Sequence, residues 1–164
     1  MRDEVDRLVE AWRRERPELD VSPMQVLSRV TRLARHLDLA RRQAFAAGRL
    51  ESWEFDVLSA LRRAGEPYQL SPGRLLRETL VTSGTMTNRV DRMVARGLVE
   101  RLPEPSDRRG VRVALTPAGR ESVDAALDEL LLREQELLRA LTDEDSAELA
   151  RMLRIVVAPF DDVP

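Results

Sequence analysis

A mainly α fold with one small β-hairpin is predicted by three observations. Apolar residues recur at helical spacing along most of the 164-residue chain. A hydroxyl residue followed by proline, a helix-start signal, occurs at Ser22-Pro23, Ser71-Pro72 and Thr116-Pro117. Two alternating segments, Leu98–Leu102 and Val111–Leu115, flank the turn-rich tip Pro103–Gly110.

Each element follows from its residues. Val5, Leu8, Val9 and Trp12 predict a first helix over residues 3–15, ended by Pro17. Ser22-Pro23 opens a long helix to about Ala47, with Val26, Leu27, Val30, Leu33, Leu37 and Ala40 as its stripe and Gly48 as its stop. Ser52 is the expected cap of a third helix that holds Trp53, Phe55, Val57, Leu58 and Leu61 and ends at Gly65. Pro67–Leu70 reads as a short extended bridge. Ser71-Pro72 begins a short helix over residues 72–78, and a turn near Leu80-Val81 leads to Thr82. From there a helix rich in hydroxyl and amide side chains runs to Arg96, with Gly97 as its stop. Thr116-Pro117 caps a helix to about Leu141, and Thr142-x-x-Asp145 resembles a capping box with Asp in the Glu position. The last helix is expected to end near Val157, because Pro159 cannot continue it.

Composition narrows the function. Hydrophobic content of 43% and charged content of 34% fit a helix-rich globular protein. Seven glycines and 4% aromatic residues argue against a β-sandwich. The absence of cysteine excludes a disulfide framework, a thiol switch and a zinc finger. His36 is the one histidine, too few for a histidine metal site or a Ser-His relay, so no cofactor is expected. All 27 basic residues are arginine, which suits bidentate recognition of phosphate and carboxylate. Net charge is −2, so contact with nucleic acid would need a local patch. No stretch of about 18 apolar residues is present, so no membrane partner is expected. The start MRDEVDRLVEAW is acidic and amphipathic, unlike a signal peptide, and a cytoplasmic location is expected.

Two helices joined by a tight turn, the second rich in hydroxyls and amides, outline a helix-turn-helix, and a hairpin directly after it is a wing. The long leucine and valine stripes of residues 3–47 and 117–157 need more cover than this small domain offers. A two-fold homodimer with interleaved terminal helices supplies it, and its symmetry matches a palindromic operator in double-stranded DNA. The expected division is residues 1–47 and 117–164 for dimerisation and residues 48–116 for DNA binding.

Residues 82–119 closely resemble the signature of the MarR family of winged-helix transcription regulators. The resemblance covers the hydroxyl-rich helix, the turn Gly97-Leu98-Val99, the wing motif Asp107-Arg108-Arg109-Gly110, and Leu115-Thr116-Pro117-Ala118-Gly119. It implies a homodimeric DNA-binding protein, usually a repressor, released by a small ligand. A closer resemblance is to the PecS-type, urate-responsive branch, whose marks would here be Trp12, Asp56 in WEFDVL and Arg89 in TNRVDR. The branch's asparagine has no counterpart; Arg63 and Ala64 stand nearest, which leaves room for another anionic ligand, a purine or a carboxylate metabolite.

From Arg89 to Arg112 there are seven arginines against four acids, a locally positive footprint in a negative chain. Ser83, Thr85, Thr87 and Asn88 are short polar groups able to meet bases or phosphates, and Gly84 permits close backbone approach. Capping and solvated surface are the competing readings of these hydroxyls, and local helix weakness that of Gly84. Arg108 and Arg109 suit a narrow minor groove. Asp107 would repel phosphate, so its expected role is to orient Arg109 or Arg92.

Arg89 lies three residues after Met86 and four before Met93, which puts its Cβ on the apolar side of the helix. A guanidinium cannot lose its proton, so burial requires a carboxylate such as Asp56 or a bound anion. Trp12 would add a stackable wall and Arg63 a second charge for an anionic effector. The competing readings are a structural Asp56–Arg89 pair, ordinary packing by Trp12 and a helix-terminal role for Arg63. No phosphate loop, nucleophile elbow or metal motif points to an enzyme. The remaining alternative is an architectural winged-helix protein without a small ligand.

Overall fold

The computed structural model describes residues 2–79, 82–104 and 107–161. The expected turn at Leu80-Val81, and the side chains of residues 107–109 and 161, lie outside that description. The chain forms two compact units, residues 1–43 and 44–164.

The first unit holds helix α1 (Glu4–Glu15) and most of α2 (Pro23–Ala47). Asp3 caps α1: its Oδ1 accepts from the Asp6 N–H at 3.0 Å, and Asp6 Oδ2 accepts from the Asp3 N–H at 2.9 Å. Arg29 of α2 donates to both carboxylates, at 2.9 and 2.8 Å. These backbone hydrogen bonds first, and Arg29 next, hold both acids below the usual carboxylate range. Val5, Val9 and Val21 form a small core against which Met24 packs. Leu8, Trp12, Val26, Leu27, Val30 and Leu33 remain exposed.

The second unit begins with the last turn of α2. Gly48 follows the helix as expected, but the residue with left-handed backbone is Arg49, at φ 54°. A Cβ on Gly48 would stand 2.7 Å from the Ser122 carbonyl and 2.9 Å from Ala126, so this glycine admits helix α6 (Pro117–Leu138). Helix α3 (Ser52–Arg63) is capped one residue earlier than expected, by Glu51 instead of Ser52. Helices α4 (Pro72–Thr79) and α5 (Ser83–Ala95) follow. Phe45 stacks on Phe55 at 4.1 Å, in one core with Leu58, Leu61, Leu75, Met86 and Met93.

The sheet has three antiparallel strands in the order β1-β3-β2. The expected bridge is strand β1 (Gln69–Leu70), whose residues pair with Ala114 and Val113 of β3 (Asp107–Leu115). Strand β2 (Val99–Glu104) runs through Pro103 and pairs with β3 out to Glu104–Asp107, so the hairpin is longer than its alternation suggests. β2 is an edge strand, where proline's missing N–H breaks no ladder. Gly110, expected in the tip, lies within β3.

The wing is joined to α6 by Thr116. Its Oγ1 accepts from the Gly119 N–H at 3.0 Å and donates to the Gly97 carbonyl at 2.7 Å. A Cβ on Gly119 would fall 2.0 Å from the Leu98 carbonyl oxygen, which requires glycine here. α6 stops at Leu138, three residues before the expected end. Thr142 and Asp145 form the expected reciprocal cap of α7 (Asp143–Asp161), with hydrogen bonds of 3.1 and 3.2 Å. α7 continues past Val157 and carries Pro159 inside it. A proline near a helix end costs one hydrogen bond in a frayed turn, less than the same break mid-helix. Leu131, Leu132, Ile155, Val156 and Phe160 stand exposed. Among the described residues no helix is long and apolar enough to cross a membrane.

Candidate nucleic-acid interface

Helix α5 has two faces. Met86, Val90 and Met93 are almost wholly buried and fix the helix to the core. Ser83, Gly84, Thr85, Thr87, Asn88 and Arg92 are exposed on the other side. Thr82, the N-cap, makes no side-chain capping bond; its hydroxyl meets that of Thr85 at 2.9 Å instead. The first turn holds no acid, so its amide donors and positive dipole end stay available to an anion. A Cβ on Gly84 would meet nothing within 4 Å, so Gly84 gives open access to backbone.

Arg89 lies at the border of these faces. It is half-buried, and its guanidinium carbon stands 5.4 Å from the centre of the Trp53 ring. Arg92 lies over the same ring at 4.7 Å. The Trp53 face thus lies against the charge for which Asp56 or a bound anion is the expected partner. Trp53 Nε1 donates to Glu51 Oε2 at 2.5 Å, and Arg92 Nη2 donates to Glu51 Oε1 at 2.8 Å. The indole N–H first, and then the nearby Arg92, hold the Glu51 carboxyl below its usual range. Trp53, Gly84, Thr85, Asn88, Arg89 and Arg92 line an open cleft of about 450 Å³.

The cleft gathers four residues expected to meet DNA with one expected to meet a ligand. Asp56 is exposed on α3 and is not among the lining residues. Arg63 ends α3 and lies 3.6 Å from Glu78. Trp12 is exposed on α1 in the first unit. Trp53 and Glu51 are the further residues that the fold brings to this cleft and to Arg92. The available signal is a tryptophan two residues after an acid at a helix start.

Among the described residues, four arginines of the positive footprint have carboxylate partners within the second unit. Besides Arg92 with Glu51, Arg101 pairs with Asp91 at 2.6 Å. Arg112 forks onto Glu104 at 2.6 and 2.9 Å, which raises its pKa further. Arg96 pairs with Glu54 and donates to the Arg49 carbonyl at 2.7 Å. Glu54 is wholly buried; its Oε2 also accepts from the Glu51 N–H at 2.9 Å, while Oε1 finds no hydrogen-bond partner. The carboxylate described on Arg92 is that of Glu51. The side chains of Asp107, Arg108 and Arg109 lie outside the described residues.

Comparison with known proteins agrees with this geometry. A model of the MarR family matches residues 50–110. The HTH-type transcriptional regulator PecS of Dickeya dadantii is 35% identical over 92% of this chain and 90% of its own. A cysteine-to-serine variant of Escherichia coli MarR, solved with operator DNA, superposes with a TM-score of 0.68 at 29% identity. That match covers 85% of this chain and 99% of the other. Bordetella bronchiseptica BpsR, solved in work on regulation of its DNA binding by 6-hydroxynicotinic acid, gives a TM-score of 0.63 at 28% identity, over 80% and 98% of the two chains.

Proposed function

The chain belongs to the MarR family of transcriptional regulators, which are not enzymes, and from that premise we propose that it is a repressor that binds a palindromic operator as a homodimer. One observation carries the DNA reading: α5 is fastened by Met86, Val90 and Met93 while Ser83, Gly84, Thr85, Thr87 and Asn88 face outward beside Arg92. Those groups serve base edges and phosphates, and Arg108 and Arg109 of the wing serve the minor groove. Residues 48–116 form the DNA-binding part, and residues 1–47 and 117–164 the dimerisation part. The location is the cytoplasm, where the operator is.

The same reading makes the regulator responsive to a small anion, such as urate, another purine or a carboxylate metabolite. Arg89 supports it, because its charge rests on an aromatic face within the DNA-facing cleft. An anion that draws Arg89 off Trp53 would act on the helix that reads DNA. Asp56 and Arg63 of α3 and Trp12 of α1 are the further residues proposed for effector binding. A gel shift on the promoter beside the chain's own coding sequence, with and without urate, xanthine and small carboxylates, tests both halves. A retarded band that one of these ligands releases is expected. No retardation would contradict the DNA half, and retardation that no ligand alters would leave the architectural alternative. Arg89→Ala is expected to keep most DNA binding and lose release by ligand.

A further inference from the structure

We propose that Glu51 is an intramolecular competitor for the DNA backbone at Arg92, a positioning residue that weakens DNA binding by holding this arginine in the free protein. The proposal rests on the reading of α5 as the DNA-facing helix. Arg92 follows Asn88 by four residues and Thr85 by seven, so it shares their face of the helix. All three line the same cleft, beside Trp53. Arg92 is held on two sides there, although it is exposed. Its guanidinium lies over the indole at 4.7 Å and donates to Glu51 at 2.8 Å.

Glu51 is held independently of Arg92. Its other carboxylate oxygen takes the Trp53 N–H at 2.5 Å, and its backbone N–H is tied to the buried Glu54 at 2.9 Å. It therefore stays in place when Arg92 leaves. A phosphate offers the guanidinium fork an acceptor of the same kind, and the pair is open to solvent, with side-chain exposures of 54% for Arg92 and 55% for Glu51. Binding to DNA must then break or share this pair and bring a phosphate near a fixed negative charge. Glu51 is thereby set to limit residence on DNA.

Fluorescence anisotropy with an operator duplex and a random duplex, over a series of salt concentrations, tests this on Glu51→Gln, Arg92→Gln and the double variant. The amide of Glu51→Gln still accepts from the indole, so Trp53 keeps its support. Glu51→Gln is expected to bind both duplexes about two- to fivefold more tightly, the equivalent of one exposed ion pair released. Its salt slope should steepen by about 0.9 for each phosphate gained. In the Arg92→Gln background, measured on the random duplex at low salt, the same change should give a clearly smaller gain. Unchanged or weaker binding by Glu51→Gln would overturn the proposal. So would an equal gain in the Arg92→Gln background, which would mark a general effect of removing negative charge. Failure of the unsubstituted chain to bind either duplex would overturn the DNA reading itself, and the proposal with it.

Discussion

Between Trp53 and Leu115 the chain buries most of its described large apolar side chains and pairs several of its arginines, whereas along α6 and α7 it leaves large apolar side chains in solvent. Met86, Met93, Val99 and Val113 are closed in. Leu131, Leu132, Ile155 and Phe160 are 47%, 62%, 61% and 73% exposed. The first region has its core closed within one chain, and Ser83, Thr85, Thr87, Asn88 and Arg92 stand on its exposed surface. The second is incomplete, since an exposed patch of this kind marks an interface. On the proposed reading, the contrast separates what one copy does alone, presenting α5, from what needs a second copy, spacing two such helices on DNA.

The contrast breaks most visibly at the exposed aliphatic side chains of α6 and α7. Ile155→Asp combined with Leu131→Asp is expected to convert a dimer into a monomer in sedimentation equilibrium, with helical content retained. A monomeric unsubstituted chain would remove the distinction between the two regions. Arg96→Ala probes the closed region. It leaves the buried Glu54 carboxylate without its cation, and a loss of about 2–3 kcal/mol is expected in chemical denaturation, below the full buried-pair range because Arg96 is partly exposed. Glu54→Gln added to Arg96→Ala should recover part of it.

The smallest effect is in acid. Asp3 and Asp6 are held below their ordinary values, so they contribute stability above the unfolded carboxylate pKa of about 3.9 and lose it as the pH falls through their folded values. Replacing both by asparagine should flatten the fall in melting temperature below about pH 4. An unaltered acid limb would show that α1 contributes nothing to it.

The helices were legible because most have a local signature: the spacing of Val5, Leu8, Val9 and Trp12, then Pro23, Pro72, Thr116-Pro117 and Thr142 with Asp145, are read within a turn or two. What was not legible depends on distant partners. Two residues, Gln69 and Leu70, cannot announce a strand; only their pairing with Ala114 and Val113 makes them one. Gly48 looked like a helix stop, but its reason is Ala126 on another helix. At the site, the two faces of α5 followed from spacing, and Met86 and Met93 are buried as that spacing requires. The neighbour of Arg89 did not, because Trp53 lies 36 positions earlier and a tryptophan at a helix start reads as core.

The most direct measurement of the central claim is binding of Asn88→Ala to operator and random duplexes at one salt concentration. Asn88 is exposed on α5 and lines the cleft, so its loss should touch base reading and spare the fold. The expected result is an operator affinity lower by roughly 5- to 100-fold, from the loss of about 1–3 kcal/mol of base discrimination, with random-duplex binding nearly unchanged. Equal affinities of the variant and the unsubstituted chain for the operator would contradict the claim that this face of α5 reads DNA.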